Sequence, residues 1–202
     1  MTTAVGSGHL ISFEGLDQSG KQTQAERLLE AILRTGREAR FLSFPDYRTA
    51  IGAEIGLALH GDRDYAADVM QLLYVANRYE FRRAIEDWLS RGAVVICDRY
   101  VASSIAYGDA QGVEVQWLSA IQARLPQPTL TILLDIPPEL SLQRKDRDRD
   151  RYERDMQLLA RVRESYLRQV AQPHWQRLDG TQDKDCVTDA VFSAVRSRLG
   201  LL

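Results

Sequence analysis

Gly15-Leu16-Asp17-Gln18-Ser19-Gly20-Lys21 is the stretch that decides the fold of this chain. An apolar run, Leu10-Ile11-Ser12-Phe13, precedes it, and an amphipathic helical pattern from Ala25 to Leu33 follows. A strand, a Gly-bracketed turn and a helix N-terminus together form an anion cradle. Successive backbone N–H groups point inward, the helix dipole adds partial positive charge, and Lys21 can reach terminal phosphates. The spacing is G-x-x-x-x-G-K, the phosphate loop of nucleoside-triphosphate enzymes. The triphosphate-binding set is therefore read as Gly15, Leu16, Asp17, Gln18, Ser19, Gly20, Lys21, Gln22 and Thr23. One position departs from the pattern. The residue after the lysine is ordinarily Ser or Thr, whose hydroxyl holds Mg²⁺; here it is Gln22, with Thr23 next. A Gln amide oxygen could bind the metal directly or through water, so impaired metal binding is an open alternative.

Outward from the loop, short apolar runs alternate with helical periodicity. Strands are expected at His9–Phe13, Ala39–Ser43, Ala93–Cys97, Leu130–Leu134 and His174–Leu178. Helices are expected at Lys21–Arg34, Ile51–Leu59, Tyr65–Ser90, Val115–Ala123, Pro138–Arg144, Asp155–Gln172 and Asp185–Leu199. Gly36 and Gly92 stand where C-terminal helix caps belong. This alternation predicts an α/β fold, a parallel five-stranded sheet with helices on both faces. Ligands of such sheets lie beyond the carboxyl ends of the strands. The phosphate loop, Phe44-Pro45-Asp46 and Asp98-Arg99-Tyr100 all emerge at that edge. No repeat or linker divides the chain, so residues 1–202 read as one domain.

The bulk numbers narrow the function. A length of 202 residues with 45% hydrophobic content supports one substantial core. The net charge of −2 argues against charge-driven nucleic-acid binding. No apolar run approaches the roughly 20 residues that span a bilayer, and the polar start has no signal-peptide architecture. Two cysteines, Cys97 and Cys186, make neither a disulfide framework nor a zinc site. A cytoplasmic protein is expected.

Three constellations carry further chemistry. Asp98, at a strand end beside the phosphate loop, can hold Mg²⁺ through its water shell. Arg99 offers a bidentate fork for phosphate oxygens. Tyr74 and Arg78, four apart on a long helix, share a face that could stack a base and bond its carbonyl edge, although such pairs are more often surface packing. Within the charged run from Arg144 to Asp155, the stretch Asp146-Arg147-Asp148-Arg149-Asp150-Arg151 alternates strictly in sign, which sets like charges at i,i+4 (Asp146 with Asp150, Arg147 with Arg151) and disfavours a helix. An arginine-rich lid over approximately 144–155, closing on phosphates, is expected; a solvated helix face is the alternative.

With these residues assembled, the chain resembles the thymidylate kinase family of P-loop nucleoside monophosphate kinases. The likeness runs through Phe13-Glu14-Gly15-Leu16-Asp17, Phe44-Pro45, Asn77-Arg78, Asp98-Arg99-Tyr100 to Tyr107, Asp135-Ile136-Pro137-Pro138 and Asp150-Arg151-Tyr152-Glu153. It implies phosphorylation of dTMP to dTDP with ATP and Mg²⁺, in a homodimer. Asp17 would bond the sugar 3′-hydroxyl and help place the acceptor phosphate. Phe44 and Tyr74 would sandwich thymine, Arg78 would bond the base carbonyl, and Arg99 would bind the dTMP phosphate. Ser104 would stand near the base, and Tyr107 would crowd C2′ and disfavour ribose. Tyr47 or Arg48 would add a phosphate contact. Some members carry an arginine just after the loop Asp; Gln18 stands there, so Arg147, Arg149 or Arg151 of the lid would supply the transition-state charge. The acceptor is already an anion, so no strong general base is needed, and His9, His60 and His174 need no catalytic role. Two other readings stay open: a kinase of another pyrimidine nucleotide or a deoxynucleoside, and a nucleotide-binding regulatory module that lost transfer through Gln22.

Overall fold

The computed structural model describes residues 8–144 and 155–202. The strands are β1 (His9–Glu14), β2 (Ala39–Ser43), β3 (Val94–Asp98), β4 (Leu130–Asp135) and β5 (Trp175–Asp179). They form one parallel sheet in the order β2-β3-β1-β4-β5. The helices are α1 (Lys21–Arg34), α2 (Ala50–His60), α3 (Ala67–Ser90), α4 (Val101–Ala110), α5 (Val115–Gln122), α6 (Pro138–Gln143), α7 (Met156–Gln169) and α8 (Lys184–Leu199).

Strand side chains alternate between faces, and the core divides accordingly. Ile11 and Phe13 of β1, Val94 and Ile96 of β3 and Ile132 and Leu134 of β4 pack beneath α1 and α8, against Leu28, Ile32, Val187 and Val191. Leu10, Val95 and Cys97 face the other way, toward Ile85, Trp88 and Leu89 of α3. A third cluster joins α2, α4 and α7 around Ile55, Ala106, Leu159 and Tyr166. The inner strands β1, β3 and β4 are buried on both faces, which is why they read as continuous apolar runs rather than alternating ones. Cys97 is buried in β3, and burial pushes its thiol pKa up. Gly36 and Gly92 follow α1 and α3 with φ of 80° and 83°, the left-handed turn expected after a helix end.

Five expected strands match five observed ones, but one helix was not expected. Over Val101–Ala110 the helix α4 buries Ala102, Ser103, Ser104, Ala106, Tyr107, Gly108 and Ala110. A helix covered nearly all round by small and polar residues leaves no amphipathic stripe to detect. Its N-terminus is tied to β1: the Tyr100 amide donates to Glu14 Oε1 at 2.9 Å. The adjoining loop at Pro45–Thr49 hangs from Asn77 of α3, whose side chain accepts from the Asp46 amide at 2.8 Å and donates to Thr49 Oγ1 at 2.9 Å. The Phe44–Pro45 peptide bond is cis.

Candidate active site

The carboxyl ends of β1, β2 and β3 meet at one edge, and the backbone already fixes much of the site. In the phosphate loop Gly15 has φ 137°, and a Cβ there would sit 2.5 Å from the Leu134 carbonyl oxygen, so only glycine fits. Gly20, at φ 92°, begins α1 with no side-chain cap, and no acidic residue occupies the first turn. The first-turn amides thus remain available to an anion. Lys21 is almost fully buried and donates to the Leu16 carbonyl at 2.8 Å, so its ammonium lies over the loop. Burial, then the nearby Arg99 charge, holds its pKa below the usual lysine value. Ser141 Oγ on α6 donates to the Asp17 carbonyl at 2.8 Å, and Arg144 donates to the Gln18 carbonyl at 3.0 Å. The loop is braced from outside.

Opposite the loop stands Arg99, in left-handed backbone at φ 63° and anchored by its amide to the Phe13 carbonyl at 2.9 Å. Such backbone is costly for a non-glycine residue and clusters at functional positions. Arg99 Nη2 donates to Asp17 Oδ1 at 2.6 Å, and Tyr107 Oη donates to Asp17 Oδ2 at 3.2 Å. Burial alone would raise the Asp17 pKa. The Arg99 and Lys21 charges outweigh it, with hydrogen bonds from Arg99 and Tyr107, and bring the carboxyl to about 2. Asp17 is therefore an acceptor throughout the physiological range.

Beneath Arg99 lies a polar cluster that the sequence reading did not single out. Glu14, fully buried, accepts from Ser103 Oγ at 2.6 Å and from Tyr166 Oη at 3.2 Å. Arg99 Nη1 in turn donates to Ser103 at 3.3 Å and to Tyr166 at 3.4 Å. Burial raises the Glu14 pKa against hydrogen bonds and the charges of Arg99 and Arg78. A buried carboxylate between two buried guanidiniums is what keeps either charge from being stranded. The clue for Glu14 was its place at the strand end next to the glycine; Tyr166 looks like any helix-packing aromatic.

A cleft of about 100 Å³ extends from this cluster. Of the expected substrate residues, Asp17, Phe44, Tyr47, Tyr74, Arg78, Arg99, Ser104 and Tyr107 line it. Arg78 is buried, donates to Ser104 Oγ at 2.7 Å and sits 5.9 Å from the centre of the Phe44 ring. Arg48 does not reach the cleft: its largely solvent-exposed side chain pairs with Asp46 Oδ2 at 2.6 Å. Pro45, Leu59, Gln71 and Ser103 complete the lining and were not expected.

The two expected metal residues part company. Asp98 Oδ1 is buried with no hydrogen-bond partner among the described residues, an arrangement that fits a cation held through water. Gln22 is exposed, and its amide nitrogen donates along α1 to Glu26 Oε1 at 2.8 Å. Arg147, Arg149, Arg151 and the expected lid over 144–155 fall, apart from Arg144 and Asp155, outside the described residues. Asp155 caps α7, accepting from the Leu158 amide at 2.9 Å.

A family model described as thymidylate kinase matches residues 13–191. The chain belongs to the thymidylate kinase family. It is 36% identical over 203 residues to a thymidylate kinase of Caenorhabditis elegans, covering 95% of this chain and 92% of the relative. It is 32% identical to that of Plasmodium falciparum, covering 96% and 93%. A solved thymidylate kinase from Candida albicans, described for the origin of its broad substrate specificity and a novel structural element, superposes with a TM-score of 0.79 at 32% identity, covering 95% of this chain and 92% of that one. The family gives a P-loop kinase fold, with ATP as the phosphoryl donor.

Proposed function

We infer that this chain transfers the γ-phosphoryl group of ATP to dTMP, giving dTDP for thymidine nucleotide synthesis. Family membership carries the reaction class. The observation that carries the site is the ring of contacts among Asp17, Arg99 and Tyr107, which joins the phosphate loop to the aromatic cleft.

The chemistry asks for alignment and charge neutralisation rather than a strong base. Lys21 and the amides of the phosphate loop hold the triphosphate tail. Arg99, aimed by its backbone and by Glu14, Ser103 and Tyr166, holds the acceptor phosphate. Asp17 accepts from the sugar hydroxyl, and Tyr107 stands against C2′. Phe44 and Tyr74 enclose the base, and Arg78 with Ser104 takes its carbonyl edge. Asp98 would hold Mg²⁺ through its water shell, and the ion would supply charge neutralisation at the transferring group. An arginine among Arg147, Arg149 and Arg151 completes the clamp.

Among the described residues no helix is long and apolar enough to cross a membrane. The reading includes a cytoplasmic setting, small-molecule substrates without nucleic acid, and a homodimer. Val69 and Leu72, an i,i+3 pair on α3, present exposed apolar surface that a second copy would cover. Light scattering tests the dimer; a monomer at micromolar concentration would remove that part.

ADP release measured with dTMP, dUMP, dCMP and thymidine tests the activity. Turnover highest with dTMP is expected. Equal or better use of another acceptor would reassign the substrate, and ATP binding without turnover of any acceptor would leave only a nucleotide-binding module.

A further inference from the structure

Gln71 of α3 is completely buried, lines the cleft, and has no hydrogen-bond partner for either amide atom among the described residues. A carboxamide out of water with neither half satisfied costs free energy, and natural interiors rarely keep one without a use. Its location suggests the use. Arg78 lies seven residues further along α3, on the same side of the helix, and meets Ser104 of α4. Gln71 meets α4 one turn beyond Ser104: a Cβ on Gly108 would lie 3.3 Å from Gln71 Cγ. Polar groups of the α3–α4 seam thus follow one another from Arg78 and Ser104 to Gln71, beside Tyr107.

We propose that Gln71 reads the pyrimidine edge that Arg78 leaves free, its Oε1 accepting from N3–H and its Nε2 donating to O2. This rests on the dTMP reading of the cleft. With Arg78 on one base carbonyl and Tyr107 against C2′, the remaining imide edge faces the seam between them. An amide presents adjacent acceptor and donor atoms, the complement of an adjacent N–H and C=O. Oriented this way it matches thymine or uracil; cytosine, whose N3 is an acceptor, leaves Oε1 facing a lone pair. Gln71 thereby adds to base selection a contact that donor-only Arg78 cannot make.

The test pairs Gln71→Met, which keeps length and removes both polar atoms, with 3-deaza-dTMP, whose 4-hydroxy-2-pyridone ring puts C–H in place of N3–H and a hydroxyl in place of the O4 carbonyl. Tm of the free variant is expected to equal or exceed that of wild type, because an unsatisfied amide is gone. Its kcat/KM for dTMP should fall about tenfold or more, mainly through KM, as expected for losing hydrogen bonds in a desolvated slot. Wild type should prefer dTMP over the deaza analogue, and the variant should lose much of that preference. A variant with unchanged kcat/KM, or one retaining the full preference, would overturn the assignment while leaving the kinase activity standing. Absence of dTMP turnover in wild type would overturn both. Should the variant not fold, a wild-type complex with dTMP decides: the Gln71 amide within about 3 Å of N3 and O2 supports the assignment, and an amide turned from the base ends it.

Discussion

Arg99 and Asp17 form a 2.6 Å ion pair between residues 82 positions apart, one at the end of β3 and the other inside the phosphate loop. The two halves of the site, donor side and acceptor side, are thereby held to each other by a single charged contact. Side-chain exposures of 14% for Arg99 and 27% for Asp17 leave the pair open to a ligand from the cleft side.

Asp17→Asn keeps the shape and removes the charge that Arg99 faces. The expected result is a fall in kcat of about a hundredfold, the scale seen when one preorganised electrostatic group is lost. Steady-state kinetics with dTMP checks it. The carboxyl titrates at about 2, below its ordinary value of 3.8, so its contribution to stability is present above that ordinary value and is lost as the pH falls toward 2. Acid unfolding of wild type and variant should therefore differ at neutral pH and converge at the acid end of that window.

Tyr166→Phe removes one hydroxyl that touches Arg99, Ser103 and Glu14 together. Loss of this support is expected to raise KM for dTMP several-fold while ATP affinity stays unchanged. Stability should fall by about 1–3 kcal/mol, because Glu14 keeps its burial with fewer donors. Equal changes in KM for both substrates would show a general loosening instead.

Asp98→Asn and Gln22→Ala separate the two metal expectations. Titrating activity with Mg²⁺ should show a raised metal requirement for Asp98→Asn, whose buried oxygen otherwise has charge to offer. Gln22→Ala should follow the wild-type curve, since that side chain is engaged with Glu26 on the outer face of α1.

Tyr47→Phe and Arg48→Ala distinguish the two candidates for an added phosphate contact. Tyr47 lines the cleft, whereas Arg48 is committed to Asp46 near solvent. Only the tyrosine variant is expected to change KM for dTMP. A larger effect from Arg48→Ala would mean that the loop rearranges when substrate enters.

The sheet was legible because strands buried on both faces leave uninterrupted runs such as Val94-Val95-Ile96, and because glycine spacing has few explanations beside a strand. Arg99 stood out by its place at a strand end and Tyr74 with Arg78 by their spacing, the role of Phe44 came from a family pattern, and eight of the expected substrate residues converge on one cleft. What escaped has a common cause. The polarity of α4 is satisfied inside the protein, so the helix carried no periodic signal, and Ser103, whose partners are Glu14 and Tyr166, went unnoticed beside Ser104. Tyr166 and Gln71 matter for what lies across from them in space, which a linear pattern does not record. Arg48 is held by a local ion pair with Asp46 and the Gln22 amide nitrogen by Glu26 one helical turn away, contacts that a linear pattern does not record either.

The Lys21 ammonium rests on the Leu16 carbonyl, already withdrawn from solvent in the free protein. An arriving triphosphate therefore does not have to strip water from that cation; it competes with one peptide oxygen for it. Much of the cost of dehydrating the positive charge is borne when the chain folds, so a larger share of the attraction between lysine and phosphate is left over for holding the nucleotide.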